Sequence, residues 1–206
     1  MKIIIMRHSI RDDMSNPNKY KGTWNNNCPI SDEGRLLLYE KSRRLFIKNK
    51  IIPDYIISSP FLRTIQTSEI LKKEVRKYKN KDIEIEINSL ICEGQLSKKK
   101  NFNQELENKL LKDGINIPEK YIDLKKRCKD FIDYCKNLKY NNLLVVTHGI
   151  IVNELVKIFI PNYMYKETKD PNEYKPKCAE YIIFEINNNN SNLIHTDFNI
   201  DLNNTF

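Results

Sequence analysis

This sequence predicts an α/β fold, a three-layer α/β/α arrangement with a mostly parallel central sheet, and three observations predict it. Short apolar runs alternate with longer amphipathic stretches, the rhythm of repeated strand–helix units. Two of those runs, Lys2 to Met6 and Asn142 to Thr147, carry no polar interruption in their interior, as expected of strands covered on both faces. A length of 206 residues with 40% hydrophobic content suffices for one domain with a substantial core.

The elements follow in order. Lys2 to Met6 is a central strand. Asp12 to Pro29 is polar, holds Pro17 and Gly22, and reads as a loop containing the single tryptophan, Trp24. Ser31 begins a helix to about Lys48, with Asp32 and Glu33 in the first turn, where carboxylates complement the helix dipole. Asp54 to Ser58 is a second strand. Ser59 is the expected cap of the next helix and Pro60 its first-turn residue, with the helix reaching about Leu71. Ile83, Ile85 and Ile87 alternate with Glu84 and Glu86, so this strand has one wet face and belongs near an edge. Residues 93–117 lack a clear period and read as an insertion or lid, with a short helix around Leu106 to Leu111. Pro118 opens an amphipathic helix whose stripe is Tyr121, Leu124, Cys128, Phe131, Ile132 and Cys135. Asn142 to Thr147 is a third buried strand, followed by a helix to about Ile160. Tyr181 to Ile186 and Leu193 to Phe198 are two late strands joined by an asparagine-rich turn. There is no internal repeat and no linker, so residues 1–206 read as one domain.

Composition narrows the function classes. A formal net charge of +8 favours anionic partners without choosing among phosphorylated metabolites, phosphoproteins and nucleic acid. Nucleic acid is disfavoured because the tyrosines are scattered and do not interleave with basic residues on one face. Five cysteines form no C-x-x-C pair and no ligand spacing with histidine, which predicts reduced thiols, a cytoplasmic protein and no bound metal. Cys128 and Cys135 share a helix face and read as core. No run of about 18 apolar residues exists, so no membrane span is expected.

Two strand ends carry the chemistry. The first strand delivers Arg7-His8 and the third buried strand delivers His148-Gly149, so two of the three histidines fall where open α/β sheets bind ligands. The second strand leads to a helix carrying Arg63, and Glu93 follows the edge strand. Convergence of these ends would surround one pocket with two histidines, two arginines and a carboxylate. That set suits phosphoryl transfer: arginine binds phosphate through a planar charged fork, histidine is a covalent nucleophile, and a carboxyl group protonates the leaving oxygen. Cations supply the charge neutralisation, so neither metal nor organic cofactor is called for. Glu86 and Glu105 compete with Glu93 for the role of acid. The third histidine, His195, has no partner motif and reads as structural or exposed.

The motifs occur in a known order. Arg7-His8, Pro29-Ile30-Ser31-x-x-Gly34, Ser59-Pro60-x-x-Arg63-x-x-x-Thr67, Glu93 and Thr147-His148-Gly149 together resemble the histidine phosphatase (phosphoglycerate-mutase-like) superfamily. The resemblance implies that His8 takes the phosphoryl group, that Arg7, Arg63 and His148 hold it, and that Glu93 is the acid. Ser9 stands where the family has glycine. Arg7-His8-Ser9-Ile10-Arg11 is most similar to the RHGER signature of the TULA/Sts-type branch, which implies that Arg11 joins the site. The segment after Glu93 matches neither the mutase pattern nor the common phosphatase glycines, so the substrate, a phosphorylated small molecule or phosphoprotein, is not specified. A phosphoglycerate mutase is the main alternative, disfavoured because the run after His8 lacks the mutase pattern. A non-catalytic phospho-ligand or protein-binding module of the same fold is the other. The sequence does not set the oligomeric state.

Overall fold

The computed structural model describes residues 1–20, 27–93, 112, 124–160, 176–187 and 190–198. The elements are β1 (Lys2–Arg7), α1 (Asp12–Ser15), α2 (Asp32–Arg43), β2 (Tyr55–Ser58), α3 (Leu62–Lys79), β3 (Ile85–Ile87), α4 (Leu124–Lys136), β4 (Asn142–Thr147), α5 (Gly149–Phe159), β5 (Tyr181–Asn187) and β6 (Asn190–Thr196). They build a six-stranded sheet in the order β3-β2-β4-β1-β5-β6. The first four strands of that order are mutually parallel, and β5 and β6 add antiparallel. The sheet is therefore mostly parallel, as the sequence predicts.

The period of two along each strand divides the core. Ile3, Ile5, Leu143, Val145, Ile182 and Phe184 pack on one face against Phe131 and Ile132 of α4 and Val152 and Leu155 of α5. Ile4, Met6, Leu144, Val146, Tyr181 and Ile183 pack on the other against Leu38 of α2 and Ile70, Leu71 and Val75 of α3. Helices on both faces explain the uninterrupted apolar runs: every residue from Ile3 to Met6 and from Leu143 to Val146 is fully buried.

Several boundaries differ from expectation. The loop expected over 12–29 contains α1 and a 3₁₀ turn, Pro17–Tyr20, because Asp12 accepts from Asn16, Lys19 and Tyr20 and winds the chain around itself. Ser31 does cap α2, accepting from the Gly34 amide at 3.0 Å, but the helix passes into a π-helical turn, Arg44–Lys48. Helix α3 starts at Leu62 and runs to Lys79, so Ser59 and Pro60 precede it and Ser59 is not its cap. The edge strand is shorter than expected, omitting Ile83, but β3 does stand at the sheet edge. The last strand lies earlier than expected, ending at Thr196. Trp24, Glu105, Tyr121, the start of the Pro118 helix and all of the 93–117 insertion except Glu93 and Lys112 lie outside the described residues.

Candidate active site

Parallel strands point their carboxyl ends the same way, so His8 after β1, Ser59 after β2, Glu93 beyond β3 and His148 after β4 emerge at one edge of the sheet. Register sharpens this: Arg7 pairs with Thr147, and His8 donates its amide to the Thr147 carbonyl at 2.8 Å. The two histidines consequently leave adjacent strands side by side, with ring centroids 5.4 Å apart at an edge-to-face angle.

Hydrogen bonds decide the protonation of both rings. Nδ1 of His8 lies 2.7 Å from the Ser9 carbonyl, which can only accept, so Nδ1 carries the proton and Nε2 presents a lone pair. Nδ1 of His148 faces Nη2 of Arg63 at 3.1 Å, and arginine can only donate. The proton of His148 therefore sits on Nε2, which donates to Oγ of Ser59 at 2.8 Å. Burial pushes both imidazoles well below their usual pKa, and the nearby Arg63 cation adds to this in each. For His8 the bond to the Ser9 carbonyl opposes the shift without reversing it. Both rings are neutral bases near pH 7.

Arg63 is the centre of the cluster. Only 1% exposed, it donates from Nη2 to Oε2 of Glu93 at 2.5 Å, and its guanidinium lies over the Phe61 ring, 4.5 Å from the centroid. Burial lowers its pKa to about 10, with the Glu93 carboxylate working against the fall, so it stays charged at pH 7. The same Glu93 oxygen lies 3.6 Å from Nδ1 of His148. Arg7 donates from Nη1 to the Pro176 carbonyl at 2.8 Å, while its buried Nε–H has no hydrogen-bond partner among the described residues. Arg11 is held by a two-pronged ion pair with Asp13, its Nε donating to Oδ1 at 2.8 Å. That bond raises its pKa, and its charge reaches His8, His148 and Glu93.

All six residues singled out in the sequence thus lie at one edge, with His8, His148, Arg63 and Glu93 in a continuous contact set. Glu86 is elsewhere: it accepts from Tyr134 at 2.6 Å, Tyr55 at 3.2 Å and Asn88 at 3.0 Å. His195 lies on β6, with Nε2 3.1 Å from buried Asp197. Ser59, Phe61 and Asp13 escaped the sequence reading as site residues. Ser59 was legible only as a cap, since its partner is 89 positions away. Ser9 is accommodated where a glycine was expected because its hydroxyl donates to the Gly34 carbonyl at 2.7 Å and its amide to Thr67 Oγ1 at 3.1 Å. Among the described residues, no group of three or more His, Cys, Asp or Glu could hold a metal ion.

The sequence profile of the histidine phosphatase superfamily (branch 1) matches residues 3–195. No curated protein matches the chain at the sequence level. Solved structures of similar fold include Bacillus stearothermophilus YhfR, with a TM-score of 0.65, 16% identity and coverage of 95% of this chain and 96% of that one. The protein histidine phosphatase SixA complexed with tungstate gives a TM-score of 0.59 and 15% identity over 95% of each chain. The ecdysone phosphate phosphatase from Bombix mori, also complexed with tungstate, gives 0.61 and 12% identity over 94% of this chain and 92% of that one.

Proposed function

Since the chain belongs to the histidine phosphatase superfamily, we propose that it hydrolyses phosphomonoesters through a phosphohistidine on His8. The observation that carries this reading is the committed tautomer of His8, whose Nδ1–H is spent on the Ser9 carbonyl and whose Nε2 is left as a nucleophile beside Arg63 and His148. Glu93 takes the proton of the incoming phosphate monoanion and passes it to the departing oxygen as Nε2 attacks phosphorus, the P–N bond forms and the ester P–O bond breaks. Water then attacks the phosphohistidine, Glu93 recovers a proton from it, and inorganic phosphate leaves. The Ser9 carbonyl steadies the positive charge that the ring acquires on phosphorylation.

Arg7 and Arg63 hold the phosphoryl oxygens, and His148 joins them once the anionic phosphate draws Arg63 away and His148 takes up a proton on Nδ1. The buried Nε–H of Arg7 is one available donor, and phosphate reaching Arg63 displaces Glu93 from the guanidinium and releases its carboxyl for proton transfer. The Arg7-His8-Ser9-Ile10-Arg11 run, similar to the TULA/Sts-type signature, supports Arg11 as a further cation once phosphate competes with Asp13. The substrate is a phosphorylated small molecule or phosphoprotein. SixA is a protein histidine phosphatase and the Bombix mori protein acts on ecdysone phosphate, so related folds take both classes.

Screening phosphorylated metabolites and phosphopeptides for phosphate release tests the proposal. His8→Ala is expected to abolish release, together with an acid-labile, base-stable phosphoryl label on the protein, while its circular dichroism stays native. Undiminished turnover in His8→Ala would defeat the reading. Exchange of phosphoryl groups between positions of a phosphoglycerate, with no free phosphate, would point instead to a mutase.

A further inference from the structure

Three consecutive carbonyls lead up to Glu93, and each is held by a side chain from a distant part of the fold. Arg127 of α4, only 5% exposed, donates from Nη1 to the Leu90 carbonyl at 3.3 Å and the Cys92 carbonyl at 3.1 Å. The Ile91 carbonyl between them accepts from Oγ1 of Thr147, at the end of β4, at 2.7 Å. The turn also ties itself: Asn88 Oδ1 accepts from the Leu90 amide at 3.0 Å, and the Cys92 amide donates to Ser89 at 3.1 Å.

A buried guanidinium is an expensive way to satisfy carbonyls that a neutral donor could serve. No carboxylate forms an ion pair with Arg127 among the described residues, and its Nε and Nη2 have no hydrogen-bond partner there. What Arg127 supplies is Nη1, which by itself serves two carbonyls of one turn and fixes the peptide immediately before Glu93. From that anchored peptide the Glu93 carboxylate reaches Arg63 at 2.5 Å and His148 at 3.6 Å.

We infer that Arg127, assisted by Thr147, is a positioning residue for proton transfer: it clamps the carbonyls of Leu90 and Cys92 so that the Glu93 carboxyl meets the leaving oxygen. The inference rests on Glu93 being the acid of the proposed phosphatase. Proton transfer demands placement far more than binding does, and a displacement near 1 Å can cost about 100-fold.

The test is single-turnover phosphoryl transfer from an alkyl phosphate and from p-nitrophenyl phosphate, comparing wild type, Arg127→Lys, Glu93→Gln and the double variant. Arg127→Lys keeps the charge but ends one atom short of the place where Nη1 meets the two carbonyls. It is expected to slow the alkyl phosphate by about 10- to 100-fold and p-nitrophenyl phosphate by less than about threefold, because p-nitrophenolate leaves without a proton. The double variant should be no slower than Glu93→Gln on the alkyl phosphate, since placement is immaterial once the acid is gone. Equal losses on both substrates, or losses that multiply in the double variant, overturn the positioning role. If Glu93→Gln itself slows both substrates equally, the acid assignment fails, and that result stands apart from anything Arg127→Lys does. Should Arg127→Lys prove unstable, Thr147→Val, which releases only the Ile91 carbonyl, must show the same selective loss in smaller measure, and an unselective loss there also overturns the inference.

Discussion

His8 and His148 are held neutral at a place where cations are gathered, and folding bears the consequence. In the unfolded chain each imidazole binds a proton near pH 6.5, whereas burial and Arg63 keep the folded rings unprotonated well below that. As pH falls through 6.5 the unfolded state takes up protons that the folded state refuses, so stability present above that pH is lost on acidification. Each histidine contributes a slope of about 0.7 kcal/mol per pH unit at pH 6.5, rising toward about 1.4 below it as the unfolded imidazole fills. His8→Asn should therefore lose stability less steeply than wild type between pH 6.5 and 5.5, measured by urea denaturation at intervals of half a pH unit. Parallel curves would mean that His8 titrates normally in the folded protein. Other groups titrate in both proteins, so the difference between the curves is the informative quantity.

At the scale of the element, the N-terminus of α2 is what shapes the chain leaving β1. Gly34 sits so close to that chain that an added Cβ would lie 2.6 Å from the Ile10 carbonyl oxygen, a backbone atom with little freedom to retreat. Ser31 caps the same turn, and its amide donates to the Ile10 carbonyl at 2.9 Å. Gly34→Ala is expected to destabilise the fold by about 1–3 kcal/mol, the usual cost of overpacking. It should also shift Ile10 and Arg11, raising KM for a phosphorylated substrate more than it lowers kcat. Thermal denaturation and steady-state kinetics check the two parts separately. A mutant as stable as wild type would show that α2 slides without penalty.

Across the whole molecule, the candidate site stands over β1, β2 and β4, while the sheet's β6 border is closed by a separate polar cluster. Asp197, with a side chain only 1% exposed, pairs with Lys41 at 2.9 Å and Arg44 at 3.4 Å and meets His195 at 3.1 Å. These contacts fasten the segment after β6 to α2 and the π-helical turn that follows it. Asp197→Asn leaves the largely covered Lys41 and the exposed Arg44 without their carboxylate and should cost about 1–3 kcal/mol, since solvent screens much of the loss. Because this cluster touches none of the site residues, phosphate release at 25 °C should be unchanged. Chemical denaturation with parallel activity assays measures both. In the proposed mechanism the arginines supply the charge neutralisation, so activity is expected to survive exhaustive dialysis against EDTA. Loss restored by added Mg²⁺ would require another mechanism. No helix among the described residues is long and apolar enough to cross a membrane.

The fold class, the buried central strands and the residues at their ends were written in local sequence, because burial on both faces leaves an apolar run that needs no knowledge of the partner. Ile3 to Met6 followed by Arg7-His8, and Leu143 to Val146 followed by His148, are legible for that reason. Ser59 was not: its position before Pro60 suggests a helix cap, and only the approach of β4 turns its hydroxyl to His148. Asp12 to Tyr20 looked like a loop because its turns are stabilised by one carboxylate gathering three side chains, a pattern without a period. The family resemblance pointed to Glu93, but the residues alone left Glu86 in competition; in three dimensions Tyr134 and Tyr55 occupy Glu86 and Arg63 meets Glu93. Sequence by itself determined which chemical groups this protein has and which strands deliver them. Tertiary structure decided which nitrogen of His148 carries the proton and which of Glu86 and Glu93 reaches the site, because both depend on hydrogen bonds between segments that local sequence does not connect.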